Sequence, residues 1–430
     1  MDSVKDFSLG IIGLGTVGIA TVKLLEEQLV NINKKSGKNI IIKAISARDI
    51  SKPRGININK YDWEESPIKL TEREDIDAIV ELIGGSDGLA KELAYSAIEN
   101  NKYFITANKA LIAKHGYDLN YKISNKSIQI YYEAAVAGAI PVINGIKDGL
   151  VANNILELHG ILNGTCNYIL SDMTNNGKTF EESLAKAQEL GFAEADPSFD
   201  IEGIDSAQKL VILGLLAFGV EPDLNKVYVE GITSISAEDI KYTGRLGYKI
   251  KLLCIAKLVE NKLDFRVHPV LCSSDSITAG IGGALNAIFI EGDYSKKITF
   301  IGEGAGAEPT ASSVVSDIIN AARSSNSLNN INLLNSNYEY INIMSRKGKY
   351  YLRFIVNDVP GVLASITSIL NENSISLDSV IQDGNKGEDS QFIIILTHLC
   401  DELDIINAIK KIDNLETILN KSYLIRVENI

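Results

Sequence analysis

Cysteine and histidine are both scarce, with four of each in 430 residues. The cysteines, at positions 166, 254, 272 and 400, are scattered and form no CxxC, so neither a disulfide framework nor a zinc site is suggested. Positive charge is in deficit as well. Forty-two Lys and Arg stand against 55 Asp and Glu, a net charge of −13, which argues against nucleic acid or an anionic membrane as partner. Long hydrophobic runs are missing. The run Lys209–Val220 (KLVILGLLAFGV) is too short to span a bilayer, and the N-terminus lacks a signal-peptide layout. The expected compartment is the reducing cytoplasm. What remains is an ordinary globular balance, 45% hydrophobic and 23% charged, in a chain long enough for two or three domains.

The first 141 residues read as an α/β domain of the Rossmann type. Phe7–Ile12 is an apolar run leading into Gly13-Leu14-Gly15-Thr16-Val17-Gly18, with a helical stretch from Thr16 to about Leu29. A GxGxxG between strand and helix is the context in which the motif binds nucleotide, and a plain tight turn is the alternative. The glycines let the backbone approach a pyrophosphate, which meets the N–H groups of the helix N-terminus. Gly13, Gly15, Thr16, Val17 and Gly18 are therefore cofactor candidates. The second strand, Ile40–Ile45, ends in Ser46-Ala47-Arg48-Asp49. An acid there would bind the ribose of NAD and an arginine the 2′-phosphate of NADP. Arg48, with Lys52 and Arg54 nearby, tilts the reading toward NADP. Strands are also expected at Ala78–Ile83 and Tyr103–Thr106, the latter ending in Thr106-Ala107-Asn108-Lys109. A lysine at that edge can reach cofactor or substrate, although a solvated lysine is the commoner case. A further strand, Ser127–Glu133, runs into a small-residue loop whose carbonyls, beside the Glu133 carboxylate, could hold a monovalent cation. A helix from Pro309 to about Arg323 is expected to complete this domain.

Residues 142–308 read as an α+β catalytic and dimerisation domain. A helix is expected at Val142–Leu150, and a strand, Leu156–Leu162, leads to Asn163-Gly164-Thr165-Cys166, with Thr165 capping the next helix. Thr179-x-x-Glu182 is a capping box. The stretch 187–209, AQELGFAEADPSFDIEGIDSAQK, holds Glu194, Asp196, Asp200, Asp205 and Lys209. Asp205 and Lys209 are four apart on a helix expected over 203–218, whose buried face would be Leu210, Leu213, Gly214 and Ala217. Two readings stay open for this stretch taken alone. It could aim carboxylates at an amino acid and handle a proton, or it could be a solvated acidic loop beside a surface ion pair. Strands at Lys251–Val259, Asp264–Val270 and Ala287–Glu291 would form a second sheet suited to dimer pairing.

Residues 324–346 begin rich in Ser and Asn and read as a linker. Beyond them the expected order is strand, helix, strand, strand, helix, strand over 347–430, a ferredoxin-like βαββαβ unit. The loop Asn357–Leu363 would bring Gly361 to a helix N-terminus where a small amino acid can dock, and a dimerisation module without ligand is the alternative.

With these pieces in order, the chain resembles homoserine dehydrogenases of the bacterial type with a C-terminal ACT domain, from about residue 7 to the end. The resemblance rests on GLGTVG at 13–18, TANKALIA at 106–113, YEAAVAGAIPVI at 132–143 and GILNGTCNYIL at 160–170. It rests equally on Ala187, Gly191, Phe192, Asp196-Pro197, Asp200, Gly203, Asp205 and Lys209. It implies reversible, NAD- or NADP-dependent interconversion of L-homoserine and L-aspartate 4-semialdehyde, in threonine, methionine and isoleucine biosynthesis, by a homodimer or homotetramer. It implies that Glu194 and Asp205, with Asp200, hold the substrate, and that Lys209 and Lys109 serve proton transfer and orientation, Lys209 being the favoured donor. Gly164, Thr165, Gly191 and Gly306 would line the cofactor or substrate cleft, with Thr106 and Lys109 beside the cofactor. Glu133 and the carbonyls of Val136, Gly138 and Ile140 would resemble the family's sodium site. The ACT domain implies feedback control, with L-threonine the expected effector. Two rival classes are an aldehyde dehydrogenase acylated on Cys166 and a non-catalytic amino-acid sensor. The presence of Lys109, Glu194, Asp205 and Lys209 argues against the sensor.

Overall fold

A computed structural model describes residues 5–221, 223–324, 338–384 and 390–430. The N-terminal sheet is built from β1 (Asp6–Ile12), β2 (Asn39–Ser46), β3 (Asp62–Trp63), β4 (Ala78–Glu81), β5 (Tyr103–Thr106) and β6 (Ile130–Tyr131), all parallel. Its order is β3-β2-β1-β4-β5-β6, the doubly wound order of dinucleotide-binding folds. β1 buries every residue after Asp6, as a strand covered on both faces must. The strand order reverses between β1 and β4, and the crevice at their C-terminal ends is where such sheets take ligands. The helix Ala307–Arg323 packs Val314, Val315, Ile318, Ala321 and Ala322 into the same core as Leu9, Ile11 and Val22. It starts two residues before Pro309, which sits in the first turn, where a missing N–H costs nothing.

Two strands are shorter than expected, and in each a carboxylate draws the chain out of the sheet. β4 stops at Glu81, whose side chain accepts the N–H groups of Ile83 (2.8 Å) and Gly84 (3.1 Å). β6 is only two residues long, because the N–H of Glu133 donates to Asp317 (2.8 Å) rather than to a neighbouring strand. Glu133 itself lies in a single 3-10 turn, Glu133–Ala135. The first helix, Thr16–Glu27, also ends early, and a separate helix, Leu29–Ser36, follows it.

The remaining strands are β7 (Ile155–Ile161), β8 (Tyr228–Val229), β9 (Tyr248–Val259), β10 (Lys262–Ser273), β11 (Leu285–Gly292), β12 (Lys296–Glu303), β13 (Glu339–Tyr340), β14 (Lys347–Asn357), β15 (Leu377–Gly384), β16 (Ser390–Thr397), β17 (Cys400–Asp401) and β18 (Tyr423–Val427). Nine of them make one path, β12-β11-β7-β9-β10-β18-β14-β16-β15. β9 and β10 form a long hairpin turned at Glu260 and Asn261, with φ of 48° and 61°. Positive φ at both central residues matches the turn to the twist of the strands. The edge strand β12 had no counterpart in the sequence reading.

The βαββαβ tail has the order β18-β14-β16-β15, with the helices Val362–Glu372 and Glu402–Ile412 packed on one face. Its sheet is continuous with the middle one, since β18 runs parallel to β10 through Val270↔Arg426 and Leu271↔Val427. Of the expected linker, 325–337 lie outside the described residues, and Glu339–Tyr340 pair with β10. The helix Ile204–Phe218 lies between the two sheets and is buried nearly all round, a wider face than expected, although Ala217 of the four expected residues is only half-buried.

Candidate active site

The turn Gly13–Gly18 follows β1 at the crevice. A Cβ on Gly13, at φ +100°, would come within 2.6 Å of the Leu82 carbonyl oxygen, and one on Gly18 would overlap the Gly13 carbonyl. Gly15 faces open space. Two glycines are thus demanded by packing, and the third leaves an open cradle before the first turn of the helix Thr16–Glu27, which it caps. A pyrophosphate fits such a cradle. A cavity of about 330 Å³ adjoins it, lined in part by Ser46, Arg48, Glu65 and Asp87. Arg48 is exposed there. Arg54 is not available to a phosphate: its guanidinium donates to the carbonyls of Asp49 and Lys52 and lies over Trp63.

A cleft of about 450 Å³ opens between the two sheets, with Val17, Gly85, Asn108, Lys109, Lys209 and Gly304 among its walls. Glu81, fully buried, accepts the Thr106 hydroxyl at 2.6 Å, and Thr106 in turn accepts the Asn108 N–H. Asn108 caps the helix Lys109–Ile123 and donates to the Gly85 carbonyl at 2.7 Å. Lys109, the first residue of that helix, is thereby aimed across the cleft.

Lys109 meets Asp205, whose carboxylate bridges two lysines. Lys109 Nζ contacts Oδ1, and Lys209 Nζ donates to Oδ2 at 2.8 Å and to the Leu162 carbonyl at 2.7 Å. The Lys109 side chain is 35% exposed, that of Lys209 10% and that of Asp205 2%. This is not a surface i,i+4 pair. Burial penalises the Asp205 charge, but the two ammonium groups outweigh it and hold its carboxyl well below the usual carboxylate range. Asp200 is shifted the other way, raised chiefly by burial. Asn163 joins the two acids, donating to Asp200 Oδ1 at 2.7 Å and Asp205 Oδ2 at 2.9 Å.

Several expectations need correction. Asn163, not Thr165, caps the helix Gly164–Asn176, accepting the Cys166 N–H at 2.8 Å. Thr165 instead donates to the Phe192 carbonyl at 2.5 Å. Cys166 is fully buried, its thiol points at the Asp200 carbonyl, and burial raises it well above the usual thiol range, the environment of a structural rather than a nucleophilic cysteine. Glu194 is exposed, and among the described residues only its carbonyl has a partner, Gln188, so its side chain stands apart from the cluster. Gly191, at φ 78°, follows the helix Phe180–Glu189, and Gly306, at φ 124°, caps the helix at 307. Sequence reasoning missed Asn163, Phe199 and Gln208. Phe199 sets its ring 5.5 Å from Lys109 Nζ, and Gln208 reaches the same cleft. Asn163 could have been found as a good N-cap residue at a strand–helix junction.

The Glu133 carboxylate accepts the N–H groups of Ile143 and Asn144, each at 2.8 Å, and burial pushes it up to about 7. The Gly138 carbonyl accepts the Ser313 hydroxyl at 2.6 Å. Among the described residues no three His, Cys, Asp or Glu gather as metal ligands, so a cation here would rest on carbonyls around one carboxylate. In the tail, Gly361, at φ 93°, caps the helix Val362–Glu372, and Gln391 holds Asp358 at 2.8 Å in the same loop.

A Rossmann crevice facing a buried lysine–aspartate–lysine cluster, with a ferredoxin-like tail, defines a nicotinamide-dependent dehydrogenase carrying an ACT domain. Family models agree: the NAD-binding domain of homoserine dehydrogenase matches residues 13–133, homoserine dehydrogenase 141–319 and the ACT domain 350–417. The chain is 42% identical to the homoserine dehydrogenase of Pseudomonas aeruginosa, over 99% of this chain and 100% of the relative. A crystal structure of homoserine dehydrogenase from Thiobacillus denitrificans superposes with a TM-score of 0.91, at 38% identity and full coverage of both chains. A hyperthermophilic archaeal homoserine dehydrogenase in complex with NADPH superposes at 0.62, with 25% identity over 74% of this chain and 97% of its own. The chain belongs to the homoserine dehydrogenase family.

Proposed function

We propose that the chain catalyses the reversible NAD(P)-dependent reduction of L-aspartate 4-semialdehyde to L-homoserine in amino-acid biosynthesis, and that Asp205, bridging Lys109 and Lys209 at the cleft, organises the reaction. Reduction adds a hydride to the aldehyde carbon and a proton to its oxygen. When bound at Gly13–Gly18, with Arg48 near its ribose, the reduced nicotinamide cofactor supplies the hydride. The Lys209 ammonium gives the proton to the developing alkoxide and becomes an amine. In the reverse direction that amine takes the hydroxyl proton. Asp205 orients both lysines before the step. Lys109, the more exposed of the two, orients the substrate and steadies charge at its oxygen. Asp200, Gly164 and Thr165 bound the substrate side, with Glu194, on the same loop as Asp200, as the further carboxylate for the ammonium group. Gly191, Thr106 and Gly306 shape the cofactor side.

A sodium ion held by Glu133 and the carbonyls of Val136, Gly138 and Ile140 is supported by the buried carboxylate, which a nearby cation would stabilise in its charged form. L-threonine at the Asp358–Gly361 loop is the effector that the ACT domain favours. Initial rates with homoserine and each nicotinamide cofactor, with and without threonine, test the whole reading. No turnover with either cofactor would overturn it.

A further inference from the structure

The geometry points to Asn163 as a positioning residue for the reaction, one that acts through Asp205 and Asp200 and touches no reacting atom. This rests on the reading of the lysine–aspartate–lysine cluster given above.

Asn163 is 4% exposed and stands where β7 passes into the helix Gly164–Asn176. Its side chain uses all its hydrogen-bonding groups. Oδ1 accepts the Cys166 N–H at 2.8 Å, and Nδ2 donates to Asp200 Oδ1 at 2.7 Å and to Asp205 Oδ2 at 2.9 Å. The preceding residue, Leu162, offers its carbonyl to Lys209 at 2.7 Å. One strand end therefore grips both the aspartate and the lysine of the helix Ile204–Phe218.

The residue type itself is informative. Ser and Asp cap a helix about as well as Asn does. Neither carries two N–H donors on one atom. The cap alone does not call for asparagine. The two carboxylates do, because without the amide between them they would face each other in a buried site. Fixed by Asn163, Asp205 directs one oxygen at Lys109 and shares the other with Lys209. Freed from it, the carboxylate could roll, and both ammonium groups would move with it. A displacement near 1 Å in such a site can cost on the order of 10²-fold in rate.

Two substitutions separate positioning from capping. Asn163→Ser keeps a cap and removes both donations. Its melting temperature is expected to fall, since two buried carboxylates lose a donor, but kcat per folded molecule is expected to fall as well, about 10²-fold, with cofactor dissociation unchanged. Asn163→Asp keeps the cap and the shape but adds a third carboxylate. The charged and titratable groups facing it are Asp200, Asp205 and Lys209, Lys109 beyond Asp205, Cys166 on its own helix and Cys254 on β9. Crowded by two acids, it takes up a proton more readily, and its O–H can then donate to one of them. Activity of Asn163→Asp relative to the parent is therefore expected to rise as pH is lowered. Asp205→Asn, assayed alongside, tests the underlying reading. If Asp205→Asn is inactive while Asn163→Ser turns over normally, the positioning role of Asn163 is overturned and the site reading stands. If Asp205→Asn turns over normally, the site reading itself fails. Loss of stability in Asn163→Ser with unchanged kcat per folded molecule, or an Asn163→Asp profile parallel to the parent's, also overturns it.

Discussion

Arg426, on the last strand of the ACT unit, donates to the Glu230 carboxylate of the middle domain at 2.9 Å. The same guanidinium holds Glu402 within the ACT unit and the Tyr228 hydroxyl on β8. Glu230 is bonded to β10 through Val267, and its neighbour Gly231 is pressed against the backbone at Ile201, beside Asp200. The ACT sheet thus leans on the acidic loop through a few residues. Removing Arg426 leaves Glu402 buried without a cation, held only by the Tyr350 hydroxyl at 2.9 Å, so Arg426→Met is expected to destabilise the protein by about 3–5 kcal/mol in denaturant titrations. Glu230→Gln keeps the Arg426–Glu402 pair. It is expected to leave basal kcat within about two-fold, below the 1.4 kcal/mol that marks a tenfold change, while weakening any threonine response. An unaltered threonine response in Glu230→Gln would break this link.

The two lysines should separate kinetically. Lys209→Ala is expected to lower kcat by about 10²–10⁴-fold, the usual range for a lost general acid, with cofactor affinity intact. Lys109→Ala should raise KM for homoserine more than it lowers kcat. Cofactor affinity is measured separately by titration. A parent-like kcat in Lys209→Ala would remove it as the proton donor.

The cofactor turn should tolerate no side chain at Gly18. A methyl there meets the Gly13 carbonyl, a backbone atom that cannot swing aside. Gly18→Ala is expected to lose NADPH binding and to melt lower than the parent. Gly15→Ala points into open space and should fold normally, with weakened cofactor binding as its only defect. Melting curves with and without NADPH distinguish the two, since a bound ligand stabilises by mass action.

Lys251 supplies a pH signature. It is 4% exposed and donates to Asn167 at 2.9 Å, and burial, the largest influence on it, lowers it to about 8 from 10.5. Below about 8 it is charged in both folded and unfolded states, and the folded protein carries the cost of burying that charge. Between about 8 and 10.5 the unfolded chain binds the extra proton, so stability conferred by this site rises with pH. Lys251→Met removes the titrating group. Its stability relative to the parent should therefore fall by about 3 kcal/mol as pH rises through that window. A pH-independent difference would contradict the buried titration.

Much of the fold was legible because its signals are local. β5 falls where its apolar run places it, the tail follows the expected βαββαβ order, and the capping box at Thr179 forms as its spacing predicts. Strand ends were less legible where a distant carboxylate took over a backbone N–H, as Glu81 and Asp317 do. Arg54 looked like a phosphate ligand beside Arg48, yet folding spent it on its own loop. Glu194 and Asp205 looked equivalent as acids in one stretch, and folding exposed one and buried the other.

The sequence by itself determined the glycine turn, the shared helix face of Asp205 and Lys209, and the βαββαβ order of the tail. Sterics and periodicity act over a few residues, so a short window contains their causes. Only the tertiary structure decided that Lys109 reaches the same carboxylate as Lys209, that Asn163 stands between two acids, and that the ACT sheet continues the catalytic one. Those contacts join segments distant in the chain, and their strength comes from removing charges and strand edges from water, which happens only when the domains close on one another.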